Sequence, residues 1–262
     1  GIDATGVVQR SSVSSFKKGD KVIVTSFDLG MNTKGGLAQY ISVPSHWIVP
    51  LPEPLSLQEA ASIGTAGLTA AIGIDKLINN GLKAPDRILV TGASGTVGSF
   101  SVKLLSKLGF EVIAYSKKED KKDFLYSIGA KEVITEIEQH EKRPLLQAKF
   151  DGAFDVIGGF VLENILKQIK PEGSVAICGL AGSANLNTTV FPFILRGISI
   201  LGIDSAEFPS EKRVKIWSLL AKEWKIDLDP IVHEHSLEKV PELLDAMLER
   251  KSFGKALIKM QE

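Results

Sequence analysis

The chain has 262 residues and carries 31 basic and 31 acidic side chains, so its formal net charge is zero and a nucleic-acid partner is disfavoured. Apolar residues make up 44% of the chain and charged residues 24%, which is typical of a folded protein with a sizeable core. The single cysteine, Cys178, excludes an intramolecular disulfide framework and a cysteine-rich zinc site. No uncharged apolar run approaches the roughly 20 residues of a membrane span and no signal peptide is visible, which favours the cytoplasm and no membrane partner.

The first 64 residues are predicted to form short strands and turns. One strand is expected over 19–27, after a Gly-Asp turn, and a second over 35–44, where a proline closes it. Three prolines between positions 50 and 54 forbid a helix before Ser56. Ser56 and Glu59 then form a capping box, which opens a helix through an alanine-rich stretch.

From residue 87 onward, strands and helices alternate. The predicted strands cover 88–91, 111–115, 132–134, 155–157, 174–178 and 198–203, and the helices between them cover 97–108, 120–128 and 161–169. Strands joined by right-handed helical crossovers predict an α/β fold with a doubly wound parallel sheet. After residue 204 we expect a helix over 211–225, a strand near 231–233, a helix with an apolar face over 237–248 and a closing strand over 256–260.

A glycine-rich loop follows the first of these strands and leads directly into a helix, with the spacing Gly92-x-x-Gly95-x-x-Gly98. The first glycine permits a tight turn, the second lets backbone approach a diphosphate, and the third lets the helix pack closely on the strand. The helix N-terminus then attracts the phosphates. The spacing differs by one residue from the usual dinucleotide motif, so its context carries the prediction of dinucleotide binding. A tight turn that binds nothing is the alternative.

The end of the second strand distinguishes the two nicotinamide cofactors. An NAD site places a carboxylate there for the ribose 2′-hydroxyl, whereas this strand ends in Ser116, Lys117 and Lys118. A hydroxyl and two ammonium groups favour the 2′-phosphate of NADPH. Two alternatives stay open, because Ser116 and Glu119 also form a capping box and the lysines can be solvated surface. Lys131 is either a third basic contact or an ordinary exposed lysine.

Other chemistries have weaker support. Neither Tyr-x-x-x-Lys, which short-chain dehydrogenases need, nor a GxSxG elbow nor a Walker loop occurs in the sequence. His233 and His235 are two residues apart and would share one face of a strand, but no third metal ligand is near them in sequence. Cys178 ends an apolar strand and reads as a small core residue.

Several segments together carry a family resemblance, among them GDKVIVTS, SIGTAGLTAA, TGASGTVG and the PFILRG…LGIDS block. The chain resembles the zinc-independent medium-chain dehydrogenases/reductases of the quinone oxidoreductase family, most closely the subfamily that includes bacterial acryloyl-CoA reductases. The resemblance implies a partial GroES-like, mainly-β catalytic domain formed by 1–64 and 227–262, with a Rossmann domain over 65–226 between them. It also implies that an N-terminal part of the catalytic domain, and part of its substrate pocket, precedes residue 1.

The same resemblance implies an activity and a set of contacts. The expected reaction is NADPH-dependent hydride transfer, without zinc, to an activated C=C bond or a quinone of a small-molecule substrate, in a homodimer. The implied cofactor contacts are Ser94, Gly95, Thr96 and Val97 for the diphosphate, Ser116, Lys117 and Lys118 for the 2′-phosphate, Leu180, Ile194 and Ser205 along the cleft, and Thr65 at the nicotinamide. No proton donor is implied. A cofactor-binding regulatory or interaction module without turnover is the alternative function.

Overall fold

The structure is a computed structural model that describes residues 1–249 and 251–260. Over these residues the strands are β1 Asp3–Val7, β2 Lys21–Thr25, β3 Ile48–Pro50, β4 Arg87–Thr91, β5 Glu111–Tyr115, β6 Glu132–Ile134, β7 Phe150–Asp155, β8 Ile169–Ile177, β9 Ser199–Gly202, β10 Val232–Ser236 and β11 Lys255–Lys259. The α-helices are α1 Leu57–Asn79, α2 Thr96–Lys107, α3 Lys122–Ser127, α4 Gly159–Leu166, α5 Phe191–Arg196, α6 Ser210–Ala221 and α7 Val240–Leu248.

Contacts group the chain into two compact units. The flanking unit comprises Gly1–Leu68 and Asp204–Glu262, and the central unit comprises Thr69–Ile203. This grouping assigns 204–226 to the flanking unit, whereas the sequence analysis assigned these residues to the Rossmann domain. The domain bounds 1–64, 65–226 and 227–262 stay predictions, and positions 250, 261 and 262 of the last segment lie outside the described residues.

The central unit is built on a six-stranded sheet with the order β6-β5-β4-β7-β8-β9. All neighbouring strands are parallel, which confirms the doubly wound parallel sheet. Chain order runs outward on both sides of β4 and β7, so the topological switch point lies between these two strands. The middle of β4 is an unbroken apolar run because helices cover both faces of such a sheet, and its residues Ile88, Leu89 and Val90 are fully buried.

Several elements of the central unit differ from the prediction, among them β8, which begins at Ile169 and not at 174. The fourth strand, β7, runs over Phe150–Asp155 and ends where the sequence analysis began it. Gly152 hides this strand from a pattern-based prediction, yet its position requires glycine, because a Cβ there would lie 2.9 Å from the Ser174 carbonyl oxygen. The short helix α5 was also missed, and it begins at a proline-containing turn.

The flanking unit contains an antiparallel sheet β1-β2-β3 and a parallel pair β10-β11. The strand predicted over 35–44 is wrong, because no part of this segment is a strand. Its first residues instead pack against the chain start, with the Gly36 N–H donating to the Gly1 carbonyl at 2.8 Å. Leu37 and Tyr40 of this segment are exposed.

Helix α1 begins with the predicted capping box. The Ser56 N–H donates to Glu59 Oε2 at 2.7 Å, and the Glu59 N–H donates to Ser56 Oγ at 3.1 Å. Gly64 then interrupts the helix with φ +51° and ψ −158°, so α1 consists of two helical stretches. This helix is long and apolar enough to cross a membrane, but 67% of its most apolar window is buried in the protein, as in a core helix.

Candidate functional site

The glycine loop connects β4 to α2 in a tight turn. Gly92 has φ +55°, and a Cβ there would lie 2.5 Å from Val156 Cγ2, so both the backbone and the packing demand glycine. A Cβ on Gly98 would lie 2.8 Å from Ala93 Cα, so α2 packs directly against the loop. Gly95 differs, because a Cβ there would have only the Gly92 carbonyl oxygen, at 3.2 Å, within 4 Å. The protein itself therefore leaves room in front of Gly95.

The start of α2 has the features of an anion site. Its N-cap residue is Gly95, which has no side chain to cap the helix, and the first turn contains no acidic residue. The helical ladder starts with the Ser99 N–H donating to the Gly95 carbonyl at 2.8 Å, so the amides of Thr96, Val97 and Gly98 precede it. These amides and the positive end of the helix dipole attract phosphate.

Two buried hydroxyls join the glycine loop to the end of β5. Ser94 Oγ and Ser116 Oγ are 3.0 Å apart, and the two residues are only 4% and 5% exposed. Ser116 Oγ also accepts the Lys118 N–H at 3.2 Å. The alternative, a capping box of Ser116 and Glu119, does not form, because the turn that follows is capped at Lys118 without a side-chain bond.

The two lysines after Ser116 occupy different surroundings. Lys117 is exposed, whereas Lys118 is half-buried. Burial lowers the pKa of Lys118, and the nearby Asp120 carboxylate opposes this effect. Both lysines follow the carboxyl end of β5, which is the edge of the sheet where ligands bind in doubly wound folds.

Lys131 does not lie with these two lysines. Its N–H donates to the Val112 carbonyl at 2.8 Å, and Glu132 is paired with Ile113 in the parallel register of β5 and β6. Tyr115 ends β5 three residues beyond Val112, which corresponds to about 10 Å at ~3.3 Å per residue. The structure therefore corrects the expectation of a third basic contact, because Lys131 is at the amino edge of the sheet.

A buried carboxylate holds the turns at the switch point together. Asp155, fully buried at the end of β7, accepts the Thr91 hydroxyl at 2.6 Å and the Gly158 N–H at 2.7 Å. Thr91 Oγ1 accepts the Val156 N–H at 3.0 Å, so the end of β4 is tied to the turn after β7. Burial raises the pKa of Asp155, while these hydrogen bonds oppose the increase. Sequence reasoning missed this group, whose signal is a carboxylate that ends an apolar strand.

A cavity of about 680 Å³ opens beyond the carboxyl ends of β5 and β6. Its lining residues are Tyr115, Lys117, Glu119, Thr135, Glu136, Ile137, Glu138, Gln139, Phe160, Val161 and Asn164. Burial raises the pKa of Tyr115, and the charge of Glu136 adds to this shift. The cavity therefore joins aromatic surface to polar groups beside Lys117.

Two further predicted contacts belong to the central unit, and both are exposed. Leu180 follows β8 at the carboxyl edge of the sheet and is 68% exposed. Ile194 lies on α5 and is also 68% exposed. Exposed apolar side chains of this size are available to cover a bound ligand.

Thr65 belongs to a hydrogen-bonded cluster in the flanking unit. Its N–H and its hydroxyl donate to Asp3 Oδ1 at 2.8 and 2.6 Å. Lys255 Nζ pairs with the other carboxylate oxygen of Asp3 at 2.8 Å, and Ser26 Oγ lies 2.8 Å from Thr65 Oγ1. Since Thr65 gives its proton to Asp3, its hydroxyl oxygen can only accept a further hydrogen bond.

Ser205 is fixed in the flanking unit by a buried arginine. Arg213 Nη2 donates to the carbonyls of Ser205 and Ala206, each at 3.1 Å, and Nη1 donates to the Thr25 carbonyl at 3.1 Å. The guanidinium also lies over the Phe27 ring, 4.4 Å from its centroid. Burial lowers the pKa of Arg213 to about 10, so the group is charged at neutral pH.

Metal and thiol chemistry find little support in the described part of the chain. No group of three His, Cys, Asp or Glu side chains is close enough there to hold a metal ion. The His233 ring packs edge-on against Phe253 with the centroids 4.9 Å apart, and burial lowers its pKa. Cys178 is half-buried, and burial together with the nearby Asp155 raises the pKa of its thiol to about 12, so little reactive thiolate is present at neutral pH.

Comparisons with known proteins agree with this arrangement. The model of the zinc-binding dehydrogenase family matches residues 96–222. The structure of Bacillus subtilis protein yhfP with NAD bound is 42% identical, covering 99% of this chain and 80% of that chain with a TM-score of 0.96. The yhdH oxidoreductase from Salmonella enterica in complex with NADP is 38% identical, covering 100% of this chain and 81% of that chain with a TM-score of 0.95.

A curated relative adds a named reaction. The acrylyl-CoA reductase AcuI of Ruegeria pomeroyi is 38% identical over 98% of this chain and 79% of its own length. Identity at this level across most of each relative's length establishes the family and confirms the expected fold class. The chain belongs to the medium-chain dehydrogenase/reductase family of oxidoreductases, in the quinone oxidoreductase group that contains YhfP, YhdH and AcuI.

Proposed function

We propose that this oxidoreductase uses NADPH to reduce an activated C=C bond, of the acrylyl-CoA or enone type, or a quinone. The observation that carries the proposal is that Ser116, Lys117 and Lys118, and no carboxylate, directly follow β5, beside the open glycine loop of α2. The NADP-bound yhdH structure and the acrylyl-CoA reductase AcuI support the cofactor and the substrate class. YhfP was solved with NAD, so the choice between the cofactors needs its own test.

The residues of the central unit fit a phosphorylated dinucleotide. The amides of Thr96, Val97 and Gly98 would hold the diphosphate, and the space in front of Gly95 admits its close approach. Ser116 would donate a hydrogen bond to the 2′-phosphate, and Lys117 and Lys118 would act on it as point charges rather than as the planar fork of an arginine. The cavity beside Lys117 would take the adenosine, where Phe160 is half-exposed and offers a ring face for the base.

The chain supplies binding, orientation and exclusion of water, since bound NADPH supplies the hydride. Leu180 and Ile194 would cover the bound cofactor with apolar surface. Thr65 would accept a hydrogen bond from a ligand amide, because Asp3 takes its proton. Ser205 is proposed as a further contact, with its backbone carbonyl already held by Arg213.

The remaining features of the proposal rest mainly on the resemblance. We propose from the resemblance that hydride transfer needs no zinc, and within residues 1–249 and 251–260 no three His, Cys, Asp or Glu side chains are grouped as a metal site requires. A homodimer is proposed on the same basis, and a location in the cytoplasm is proposed from the low cysteine content. No proton donor for the reduced carbon is assigned.

The test compares NADPH with NADH as hydride donors for acrylyl-CoA. Lys117→Glu is expected to lower kcat/KM for NADPH at least about tenfold, because a carboxylate repels the 2′-phosphate, and to change kcat/KM for NADH by less than about twofold. Lys131→Glu makes the same charge change at the amino edge of the sheet and is expected to change neither value.

Two results would count against the proposal. Equal losses with both cofactors in Lys117→Glu would remove the assignment of the 2′-phosphate site. Tight binding of NADPH without oxidation by acrylyl-CoA, enones or quinones would favour the cofactor-binding module without turnover.

A further inference from the structure

The hydroxyls of Ser94 and Ser116 form a buried pair whose protons can be counted. The two oxygens are 3.0 Å apart, and both residues are more than nine-tenths buried. Each hydroxyl has one proton, and either can be the donor in the bond between them. Ser116 Oγ also accepts the Lys118 N–H. The pair therefore has two arrangements that differ in whether the Ser116 proton is available to a ligand.

The ligand decides between these arrangements. When Ser94 donates to Ser116, the Ser116 proton is available for an acceptor outside the pair. When Ser116 donates to Ser94, that proton is already used. A 2′-phosphate has only acceptor oxygens at neutral pH and selects the first arrangement, whereas a ribose 2′-hydroxyl both donates and accepts and can use either. The pair thus distinguishes the two cofactors without any charge of its own.

We infer that Ser94 determines cofactor specificity by donating to Ser116 and so directing the Ser116 proton toward the 2′-phosphate. The inference rests on the proposed function and gives Ser94 a role other than the diphosphate contact implied by the family resemblance. Hydrogen bonds to an ionised acceptor are about twice as strong as neutral ones, and burial of the pair strengthens its bond further. Ser94 acts through another residue and is a positioning residue.

The experiment measures dissociation constants of NADPH and NADH for the purified full chain by titration calorimetry. Ser94→Ala is expected to weaken NADPH binding about five- to tenfold and NADH binding less than about twofold, because one hydrogen bond to a charged group loses its orientation. Ser101→Ala is the matched control, since this buried serine of α2 bonds only to the Val97 carbonyl, at 2.9 Å. It is expected to change neither constant.

A double-mutant cycle separates positioning from an independent contact. In the background of Ser116→Ala, the change Ser94→Ala is expected to have no further effect on the NADPH/NADH ratio, since the group that it orients is gone. Ser94→Cys, a near-isosteric weak donor, is expected to give an intermediate ratio. Urea unfolding of each variant identifies any that fail to fold, and the cysteine variant then carries the test.

Four outcomes would overturn the inference. Equal weakening of both cofactors by Ser94→Ala would mean that Ser94 acts on the shared diphosphate. Additive effects of the two serine substitutions would mean that they act independently. If the wild-type chain binds NADPH and every serine variant keeps the wild-type ratio of the NADPH and NADH dissociation constants, only the role of Ser94 is rejected. If the wild-type chain binds neither cofactor, the proposed function is rejected as well.

Discussion

Alanine at two positions of the glycine loop should separate cofactor binding from stability. At Gly95, an added methyl group would contact only the Gly92 carbonyl oxygen, at 3.2 Å, and would project into the space that the protein leaves in front of the loop. At Gly98, the methyl group would meet backbone of the same loop, with Ala93 Cα at 2.8 Å. The first substitution therefore perturbs the ligand, and the second perturbs the protein.

The expected free energies follow from these contacts. In Gly95→Ala, alanine restricts the unfolded chain, which stabilises by about 0.4–1 kcal/mol, and it is a poorer N-cap residue than glycine by about 0.5–1 kcal/mol. The two effects nearly cancel, so the free energy of unfolding should change by less than about 0.5 kcal/mol. In Gly98→Ala, a helix-propensity gain of about 1 kcal/mol opposes an overpacking cost of about 3 kcal/mol, because backbone atoms cannot rotate away. The net loss is about 2 kcal/mol.

The assay pairs urea unfolding with NADPH titration for each variant. Gly95→Ala should lose at least about tenfold in NADPH affinity, the equivalent of one backbone hydrogen bond to a charged phosphate. NADH affinity should fall equally, because both cofactors share the diphosphate. Wild-type affinity in Gly95→Ala would refute the argument that backbone at this position approaches the phosphates, and unchanged stability in Gly98→Ala would refute the packing argument.

Two further predictions concern a half-buried thiol and a buried guanidinium. Cys178 is half-buried and its pKa is raised to about 12, so little thiolate forms at pH 8. It should react slowly with iodoacetamide in the native protein and faster in urea, as followed by mass spectrometry, and equal rates in the two states would contradict the raised pKa. Arg213→Met should lower the free energy of unfolding by about 3–5 kcal/mol in urea titrations, because the backbone carbonyls that accept from Arg213 lose their donors. Arg213→Lys should recover little of this loss, since an ammonium group cannot reproduce the planar set of guanidinium donors.

The nucleotide loop could be predicted from the sequence because its requirements are local. The turn at Gly92, the open position at Gly95 and the close packing at Gly98 all arise within one strand, one turn and one helix. The doubly wound parallel sheet also followed from the alternation of strands and helices. The expected contact of Lys131 with the 2′-phosphate was wrong. The predicted parallel sheet was enough to exclude this contact, because a residue that precedes a strand lies at the amino edge of the sheet and the cofactor binds at the carboxyl edge.

Interactions between distant residues could not be predicted in this way. The Thr91–Asp155 bond joins positions 64 residues apart, and the Asp3–Lys255 pair joins positions 252 residues apart. No periodicity or turn signal links such positions, since their proximity depends on which strands become neighbours. The strand predicted over 35–44 failed for the same reason, because alternation describes one strand but does not supply its partner.

This difference explains why the sequence identifies the cofactor site more readily than the chemistry of the substrate. Phosphate recognition uses backbone amides and the ends of strands, and each of these is specified by a few consecutive residues. Groups that orient a proton are assembled from several elements, as the contact of Ser94 with Ser116 joins two loops 22 residues apart. The charge of Lys117 is screened by salt because this side chain is exposed, whereas the buried serine pair is not. A preference for NADPH that persists at high ionic strength is therefore expected to come from the hydroxyls and the half-buried Lys118 more than from Lys117.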